Sequence, residues 1–331
     1  MPIVEAERKG SPVGPPAFKS RKDKRQAVRF TANARWKITE KGRLLLPKIG
    51  ALRVLWSRTL PSTPATVTVI KDSAGRYFAS FVIETDPDTD AQHWPVGEVA
   101  GREVGLDMGL THFAVLDNGE KVTSPRFLRR AEKKLKKLQR EHSRKQKGSK
   151  NKEKSRLRLA RQHAKVADAR HAFHHQLSSK LIREHQAVHA ETLNVKGLAR
   201  GKLAKSIHDA GWSSFLDMLS YKAKRYGRDF QRTGRRFPSS QRCSNPACHH
   251  IDGPKPLNIR TWACPACGTI HDRDTNAARN TLQEGQRMRA MVAEGRAETE
   301  NACGAPVRPG TQSRHSAMKQ EATESHTSRA A

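Results

Sequence analysis

The sequence predicts a mixed α/β fold, with a small β domain before it and a cysteine-rich insert near its end. Residues 103–122 alternate between apolar and polar side chains around two tight turns, as expected of three short strands. A long helical pattern then leads into a short strand at 186–191, which is typical of an α/β crossover. Two cysteine pairs follow. Together these features predict a sheet assembled from distant parts of the chain, with a metal-stabilised insert.

The composition indicates a nucleic-acid partner. The 331 residues include 63 Lys and Arg against 32 Asp and Glu, a formal net charge of +31. Such a surface binds phosphate backbones by releasing counterions. The sequence contains no secretory signal, no apolar run of membrane-spanning length and no amphipathic helix with a bulky apolar face. We therefore expect no membrane partner and a cytoplasmic protein associated with nucleic acid.

The two ends of the chain and its first domain differ in composition. Residues 1–28 are rich in Pro, Gly, Lys and Arg without a period, which predicts a basic disordered arm. Residues 29–98 contain short alternating strands broken by the turns EKG, KIG and DSAG, which predict a small partial β-barrel. Residues 291–331 are rich in Ala, Glu, Ser, Thr and Pro, and predict a disordered tail.

Residues 99–240 are predicted to form the first part of the α/β domain. Within them, Asp107 falls on a strand among apolar neighbours, and Asn118-Gly119 supplies a hairpin turn. Glu191 falls at the end of the strand that follows the long helix. Both carboxylates are therefore placed at strand positions of one predicted sheet.

Residues 125–185 predict a basic helical hairpin with a narrow apolar seam, because apolar side chains recur in steps of three and four residues. Between Arg126 and Arg161 the hairpin carries 17 Lys or Arg and three Glu. A solvated helix face is the ordinary interpretation of a charge run, but so unequal a ratio favours a surface that follows phosphates. It carries no information about base sequence.

Residues 241–270 predict a zinc ribbon. Four cysteines have metal-ligand spacing, namely Cys243, Cys248, Cys264 and Cys267. Four residues separate the first pair, two separate the second, and 15 lie between the pairs. Four thiolates complete a tetrahedron around Zn²⁺ and leave no open position, so the site should be structural. Because the first pair is loosely spaced, His249 or His250 remains an alternative to one thiolate.

Three acidic residues lie where an RNase H-like sheet would bring them to one edge: Asp107, Glu191 and Asp274. Taken singly, Asp107 suits a turn, Glu191 a surface strand end, and Asp274 a helix cap. Grouped carboxylates instead repel one another unless a hard cation neutralises them. We therefore predict two catalytic Mg²⁺ ions for phosphodiester hydrolysis. Asp107 would bridge both ions, Glu191 and Asp274 would hold one each, and Asp272 is the alternative to Asp274.

Four blocks occur in the order GLDMGLTHFAVLDNGE, AETLNVKGLAR, RRFPSSQRC and CPACGTIHDRDTNAARN. They resemble the three RuvC motifs and inserted zinc ribbon of the TnpB family, which comprises transposon-encoded RNA-guided nucleases related to type V CRISPR effectors. The resemblance covers roughly residues 25–290. It implies a RuvC-like nuclease domain that resumes with its last motif at 271–290. It also implies that Asp107, Glu191 and Asp274 are the catalytic acids and that the four cysteines are the ribbon ligands.

The resemblance further implies a bacterial protein that binds a guide RNA from the transposon end and cuts target double-stranded DNA beside a short motif. The expected function is therefore that of a Mg²⁺-dependent, RNA-guided endodeoxyribonuclease. One alternative is a cleavage-deficient, truncated RNA-guided or RNA-binding protein that still binds DNA. A DNA-joining transposase would use a similar acidic triad, but it does not explain the ribbon.

The sequence departs from the TnpB pattern in three ways. The family usually has a barrel strand and a helical lobe before the segment RFTANARWKITEKGRLLLP, whereas only about 28 basic residues precede it here. The expectation is a protein that lacks the N-terminal lobe. The first cysteine spacing is wider than usual, and Thr192 stands where the family commonly has Asp.

Overall fold

The structure is a computed structural model that describes residues 26–84, 99–256 and 258–293. The predicted tail beyond residue 293 and most of the predicted arm lie outside the described residues. The chain divides into two compact units. One unit comprises Met1–Asp86 and Glu132–Ala167, and the other comprises Pro87–Ala131 and Asp168–Ala331.

The first unit contains two three-stranded antiparallel sheets. Their strands are β1 (Gln26–Phe30), β2 (Lys37–Ile38), β3 (Arg43–Leu46), β4 (Gly50–Arg53), β5 (Thr66–Lys71) and β6 (Tyr77–Val82). The sheet orders are β1-β5-β6 and β2-β3-β4. Leu44, Leu46 and Val67 form a core shared by both sheets. The short strands predicted in this region are confirmed, although β1 starts three residues inside the predicted arm. The partial β-barrel stays a prediction.

The first unit also includes the distal half of the helical hairpin. Its helices are α1 (Phe127–Ser143) and α2 (Lys150–Glu184), which confirm the predicted hairpin. Arg156 Nη1 donates to the carbonyl oxygen of Ser73 at 3.0 Å, and a Cβ at Gly75 would lie 3.2 Å from Leu157 Cδ1. The sequence assigned the whole hairpin to the nuclease domain, whereas these contacts place residues 132–167 with the β strands.

The second unit is built on a five-stranded sheet of order β11-β10-β7-β8-β9. Its strands are β7 (Glu103–Met108), β8 (His112–Leu116), β9 (Lys121–Thr123), β10 (Ala187–Ala190) and β11 (Asp229–Arg232). Strands β7, β10 and β11 are parallel, whereas β7, β8 and β9 form an antiparallel meander. The three predicted strands at 103–122 and the strand before Glu191 are therefore confirmed.

Helices cover the sheet of the second unit. They include the proximal parts of α1 and α2, with α3 (Val195–Leu198), α4 (Ala204–Ala210), α5 (Trp212–Arg225) and α6 (Arg273–Ala293). The core contains Phe113, which meets Phe173 and Phe215 edge to face at centroid distances of 5.0 Å. Such geometry is favourable for aromatic pairs. This core packs on one face of the sheet, and α6 packs on the opposite face.

The cysteine-rich insert contains two short antiparallel strands, β12 (Thr261–Ala263) and β13 (Ile270–Asp272). β13 leads directly into α6, which continues to residue 293 rather than ending near 290 as predicted. No helix in the described part of the chain is long and apolar enough to span a bilayer.

Candidate active site and cysteine cluster

Strand register brings Asp107 and Glu191 side by side. β7 and β10 are adjacent and parallel, and Leu106 pairs with Ala190. Asp107 is the next residue of β7, and Glu191 is the first residue after β10. Because parallel strands end at the same edge, both carboxylates lie at the carboxyl edge of the sheet.

Helix α6 supplies the third carboxylate. It packs against β7, β8 and β10, and Asp274 is in its first turn. The approach is close because β7 has Gly105 opposite the helix, where a Cβ atom would lie 2.1 Å from the carbonyl oxygen of Ala278. Only a residue without a side chain allows the helix backbone to lie this near the strand.

The three carboxylates interact electrostatically. Burial raises the pKa of Asp107 well above its usual range, and the negative charges of Glu191 and Asp274 raise it further. Burial also raises the pKa of Glu191, although a hydrogen bond from the Ser239 hydroxyl opposes this shift. All three acids remain partly exposed. The arrangement is that of grouped carboxylates that a cation would stabilise.

Asp272 and Asp274 occupy different environments. Asp272 Oδ1 accepts hydrogen bonds from the backbone N–H and hydroxyl of Thr275, and Asp272 Oδ2 lies 2.8 Å from Lys121 Nζ. Asp272 therefore caps α6. The interpretation of Asp274 as the cap is wrong because the helix begins at Arg273, two residues before the start that a cap at Asp274 requires. Burial acts to raise the pKa of Asp272, but Lys121 and Thr275 lower it overall.

The four cysteines form the tightest candidate metal site. Their sulfur atoms all lie within 4.8 Å of one another in Cys243, Cys248, Cys264 and Cys267. No disulfide joins them. Neither His249 nor His250 belongs to the group, so the structure selects the four-thiol alternative. The oxygen atoms of the three carboxylates do not form a comparable group within 4.8 Å in the described part of the chain.

Comparison with known proteins identifies the family. Residues 80–201 match a family model described as a probable transposase, OrfB of IS605, and residues 212–281 match the Cas12f1-like TNB domain. A Streptomyces pristinaespiralis protein named "Putative RNA-guided DNA endonuclease" is 43% identical over 92% of this chain and 72% of its own length. The chain belongs to the TnpB family.

Other members of the TnpB family are more distant. Escherichia coli K12 InsQ, which bears the same descriptive name, is 29% identical over 78% of this chain and 66% of its own length. A Mycobacterium tuberculosis relative is 30% identical over 83% of this chain and 62% of its own length. A solved Cas12f1–sgRNA–target DNA complex aligns with a TM-score of 0.40 and 13% identity, covering 78% of this chain and 66% of that one. That likeness is too weak to bear on function.

The sequence patterns of this TnpB-family chain did not single out a set of asparagines on α6. Asn280 Nδ2 donates to the carbonyl oxygens of Ser239 and Arg242 at 2.8 and 2.6 Å, and Asn276 Nδ2 donates to Arg242 at 2.8 Å. Asn276 Oδ1 also accepts from the backbone N–H of Ser244 at 2.9 Å. The helix thereby holds the segment that carries both Ser239 and the first cysteine. The i, i+4 spacing within NAARN was the available signal.

Two further side chains connect the insert to the carboxylates. His271 Nε2 lies 3.0 Å from Cys243 Sγ, one residue before Asp272. Arg260, just before β12, places Nη1 3.4 Å from Asp274 Oδ1. The insert therefore reaches the carboxylate edge through a cysteine contact and an ion pair.

Thr192, which departs from the TnpB pattern, uses its hydroxyl group in a hydrogen bond to the backbone. Its hydroxyl donates to the carbonyl oxygen of Thr233 at 2.7 Å, just beyond β11. The contact joins the ends of two neighbouring strands. It fixes the chain next to Glu191 without adding a carboxylate.

Proposed function

We propose that this chain is a transposon-encoded, RNA-guided DNA endonuclease that hydrolyses DNA at Asp107, Glu191 and Asp274. The observation that carries the proposal is the convergence of three acids from separate elements: strand register sets Asp107 beside Glu191, and α6 brings Asp274 close enough to raise the pKa of Asp107. Clusters of this kind are characteristic of functional sites. The names of the Streptomyces and Escherichia coli relatives support the guided nuclease activity. The chain spans 72% and 66% of their lengths.

The carboxylate group fits hard divalent cations. Its donors are oxygen atoms, and the repulsion that raises the pKa of Asp107 would be relieved by a bound cation. A Mg²⁺ ion held by these oxygen atoms would polarise the phosphodiester and activate the attacking water. Both of the other acids raise the pKa of Asp107. This supports the assignment of Asp107 as the ligand that two ions would share.

The residues around the acids fix their positions. The Ser239 hydroxyl donates to Glu191, which orients that carboxylate. Asp272 is engaged in capping α6 and in its ion pair with Lys121. Asp274 instead influences Asp107 more strongly than Asp272 does. These contacts favour Asp274 over Asp272 as the third ligand.

The cysteine group fits structural Zn²⁺. Four thiols in mutual reach without a disulfide match the donor set of a closed tetrahedral site. Burial raises the pKa of Cys243 to about 12, and hydrogen bonds from Thr269 lower that of Cys267 to about 6. We propose that this site braces the loop that delivers Asp274, because Cys243 touches His271 and lies in the segment held by α6.

The proposed brace has a direct test. Cys243→Ser should reduce bound zinc, measured by inductively coupled plasma mass spectrometry, and should also slow DNA cutting. A variant that loses zinc but cuts DNA at the wild-type rate would show that the ribbon does not support the active site.

The proposed partners are a guide RNA from the transposon end and target double-stranded DNA. The basic hairpin, with 17 Lys or Arg between Arg126 and Arg161, supports a role in gripping phosphate backbones. Base pairing with the guide would select the target sequence, while the protein would read backbone shape and a short flanking motif.

The decisive experiment is guided cleavage. RNA that copurifies with the full chain is sequenced, and matched and mismatched DNA duplexes are then incubated with the complex in Mg²⁺. We expect cutting of matched DNA only, its loss in Asp107→Ala and its retention in Asp217→Ala. Asp217 is the matched control because its side chain is 76% exposed on α5.

The other outcomes separate the alternatives. RNA binding without cutting by the wild-type protein would indicate the cleavage-deficient form. Joining of transposon ends to DNA would indicate a transposase. Cutting that persists in Asp107→Ala would refute the assignment of the three acids.

A further inference from the structure

A cavity lies beside the turn that joins β7 to β8. Its volume is about 210 Å³, and it is entirely within the second unit. The turn contributes Leu110 and Thr111, only three and four residues after Asp107. Three extended residues span at most about 11 Å. The cavity, called the turn cavity below, therefore lies near the carboxylate edge of the sheet. Because it is lined by Phe113 of the core, it is on the face opposite α6.

The wall of the turn cavity is aromatic. Phe113, Phe127 and Phe173 line it, and Phe173 lies 5.0 Å from Phe113 and 6.2 Å from Phe127 between ring centroids. Sites for drug-sized molecules usually exceed about 300 Å³. The smaller turn cavity suits a single flat ring system, and aromatic side chains provide stacking surfaces for any base.

The rim of the turn cavity is positively charged. Arg126, Arg129 and Arg170 line it, against one acidic residue, Asp209. The Asp209 carboxylate is already occupied, since it accepts backbone N–H bonds from Leu128 at 2.8 Å and Arg129 at 3.3 Å at the start of α1. The guanidinium groups therefore leave the rim complementary to a phosphate.

A buried histidine in the same cavity has an unused acceptor. His174 is 1% exposed, and its Nε2 donates to the carbonyl oxygen of Ala210 at 2.9 Å. Its Nδ1 atom has no hydrogen-bond partner. Burial is the main reason that its pKa is lowered to about 4, so the ring is neutral at pH 7. The N–H group of a nucleobase could donate the hydrogen bond that Nδ1 of His174 does not receive from the protein.

We propose that the turn cavity binds one nucleotide of single-stranded DNA at the carboxylate edge of the sheet, on the face opposite α6. The base occupies the aromatic wall, and its phosphate meets the arginine rim. This inference rests on the proposed nuclease function for the choice of DNA. It adds a subsite that holds the strand in place where it passes the edge of the sheet that carries the proposed cutting site.

The test uses binding, so it does not depend on cleavage. The full chain carrying Asp107→Asn is titrated with a fluorescent single-stranded DNA oligonucleotide and with versions that have one abasic nucleotide at each position in turn. Stacking of one base corresponds to at least about a fivefold change in affinity. We expect one position at which the abasic nucleotide weakens binding by that factor or more.

Substitution of one aromatic residue links that position to the turn cavity. Phe127→Leu keeps an apolar side chain but removes the ring, so the abasic penalty should disappear. Phe127→Tyr retains the ring and should restore it. Phe230→Leu is the matched control, because Phe230 lies in β11 and does not line the cavity.

Several results would overturn the proposal. One is the absence of any penalised position in the parent protein, and another is a penalty that survives Phe127→Leu. A penalty found with RNA oligonucleotides but not with DNA would exclude DNA as the occupant. Guided cutting by the wild-type protein is measured separately. Its failure with an intact abasic effect refutes the proposed function, whereas normal cutting without that effect refutes the subsite.

Discussion

Gly105→Ala should separate the third carboxylate from the first two. The added Cβ would lie 2.1 Å from the carbonyl oxygen of Ala278 and 2.7 Å from the backbone nitrogen of Leu282. Ordinary contact begins at 3.4 Å, so α6 must move by about 1.3 Å. Because both close neighbours are backbone atoms, side-chain rotation cannot relieve the clash.

The expected consequences follow from that displacement. Overpacking of this kind costs about 1–3 kcal/mol, and a misplacement of about 1 Å reduces catalysis by about 100-fold. We expect melting several degrees lower by differential scanning fluorimetry. Single-turnover guided cleavage in saturating Mg²⁺ should fall by about 100-fold, while RNA binding is retained.

The matched control is Gly234→Ala. Gly234 has no atom within 4 Å of its would-be Cβ, and its φ lies outside the left-handed region. This variant should melt and cut like the wild type. If Gly105→Ala also melted and cut like the wild type, the close approach of α6 to β7 would not position the carboxylates.

Three other variants probe charge and hydrogen bonding. The pKa of Asp107 is higher in the folded than in the unfolded protein, so its charge destabilises the metal-free fold at neutral pH. In EDTA, Asp107→Asn should therefore have a higher melting temperature than the wild type at pH 7. The difference in melting temperature should shrink as the pH falls through the folded pKa of Asp107. Asn280→Ala leaves two buried carbonyl oxygens without their donors, and should lower the free energy of unfolding by about 1–3 kcal/mol in denaturant titrations, with slower cutting. Lys121→Ala removes a half-exposed ion pair with Asp272, and should change stability by no more than about 1 kcal/mol and leave cutting intact. These assignments would be contradicted by an unchanged melting profile for Asp107→Asn, by wild-type stability of Asn280→Ala, or by loss of DNA cutting in Lys121→Ala.

Much of the fold was predictable because its signals are local. The alternation around Asp107 and the Asn118-Gly119 turn predicted strands and a hairpin that the structure contains. The three- and four-residue steps predicted the helical hairpin. The spacing of the cysteines predicted that they would meet. Each of these patterns lies within one continuous segment of the chain.

Other features depend on contacts that a sequence pattern does not contain. A shift of two residues in the start of α6 decides whether Asp272 or Asp274 caps it, and a sequence pattern does not fix a helix boundary to better than one or two residues. The pairing of Leu106 with Ala190 sets Asp107 beside Glu191, but it joins positions about 80 residues apart. The role of Asn280 was also hidden, because its partners are backbone carbonyl oxygens of a distant segment.

The carboxylate edge has a consequence for synthesis of the chain. β7, β10 and α6 contribute one acid each, and successive acids are separated by about 80 residues. Translation releases them in that order, so a ribosome-bound chain that ends before α6 holds only two of the three. Under the proposed function, the growing polypeptide is catalytically inert, and the capacity to break DNA arises only when the last helix docks.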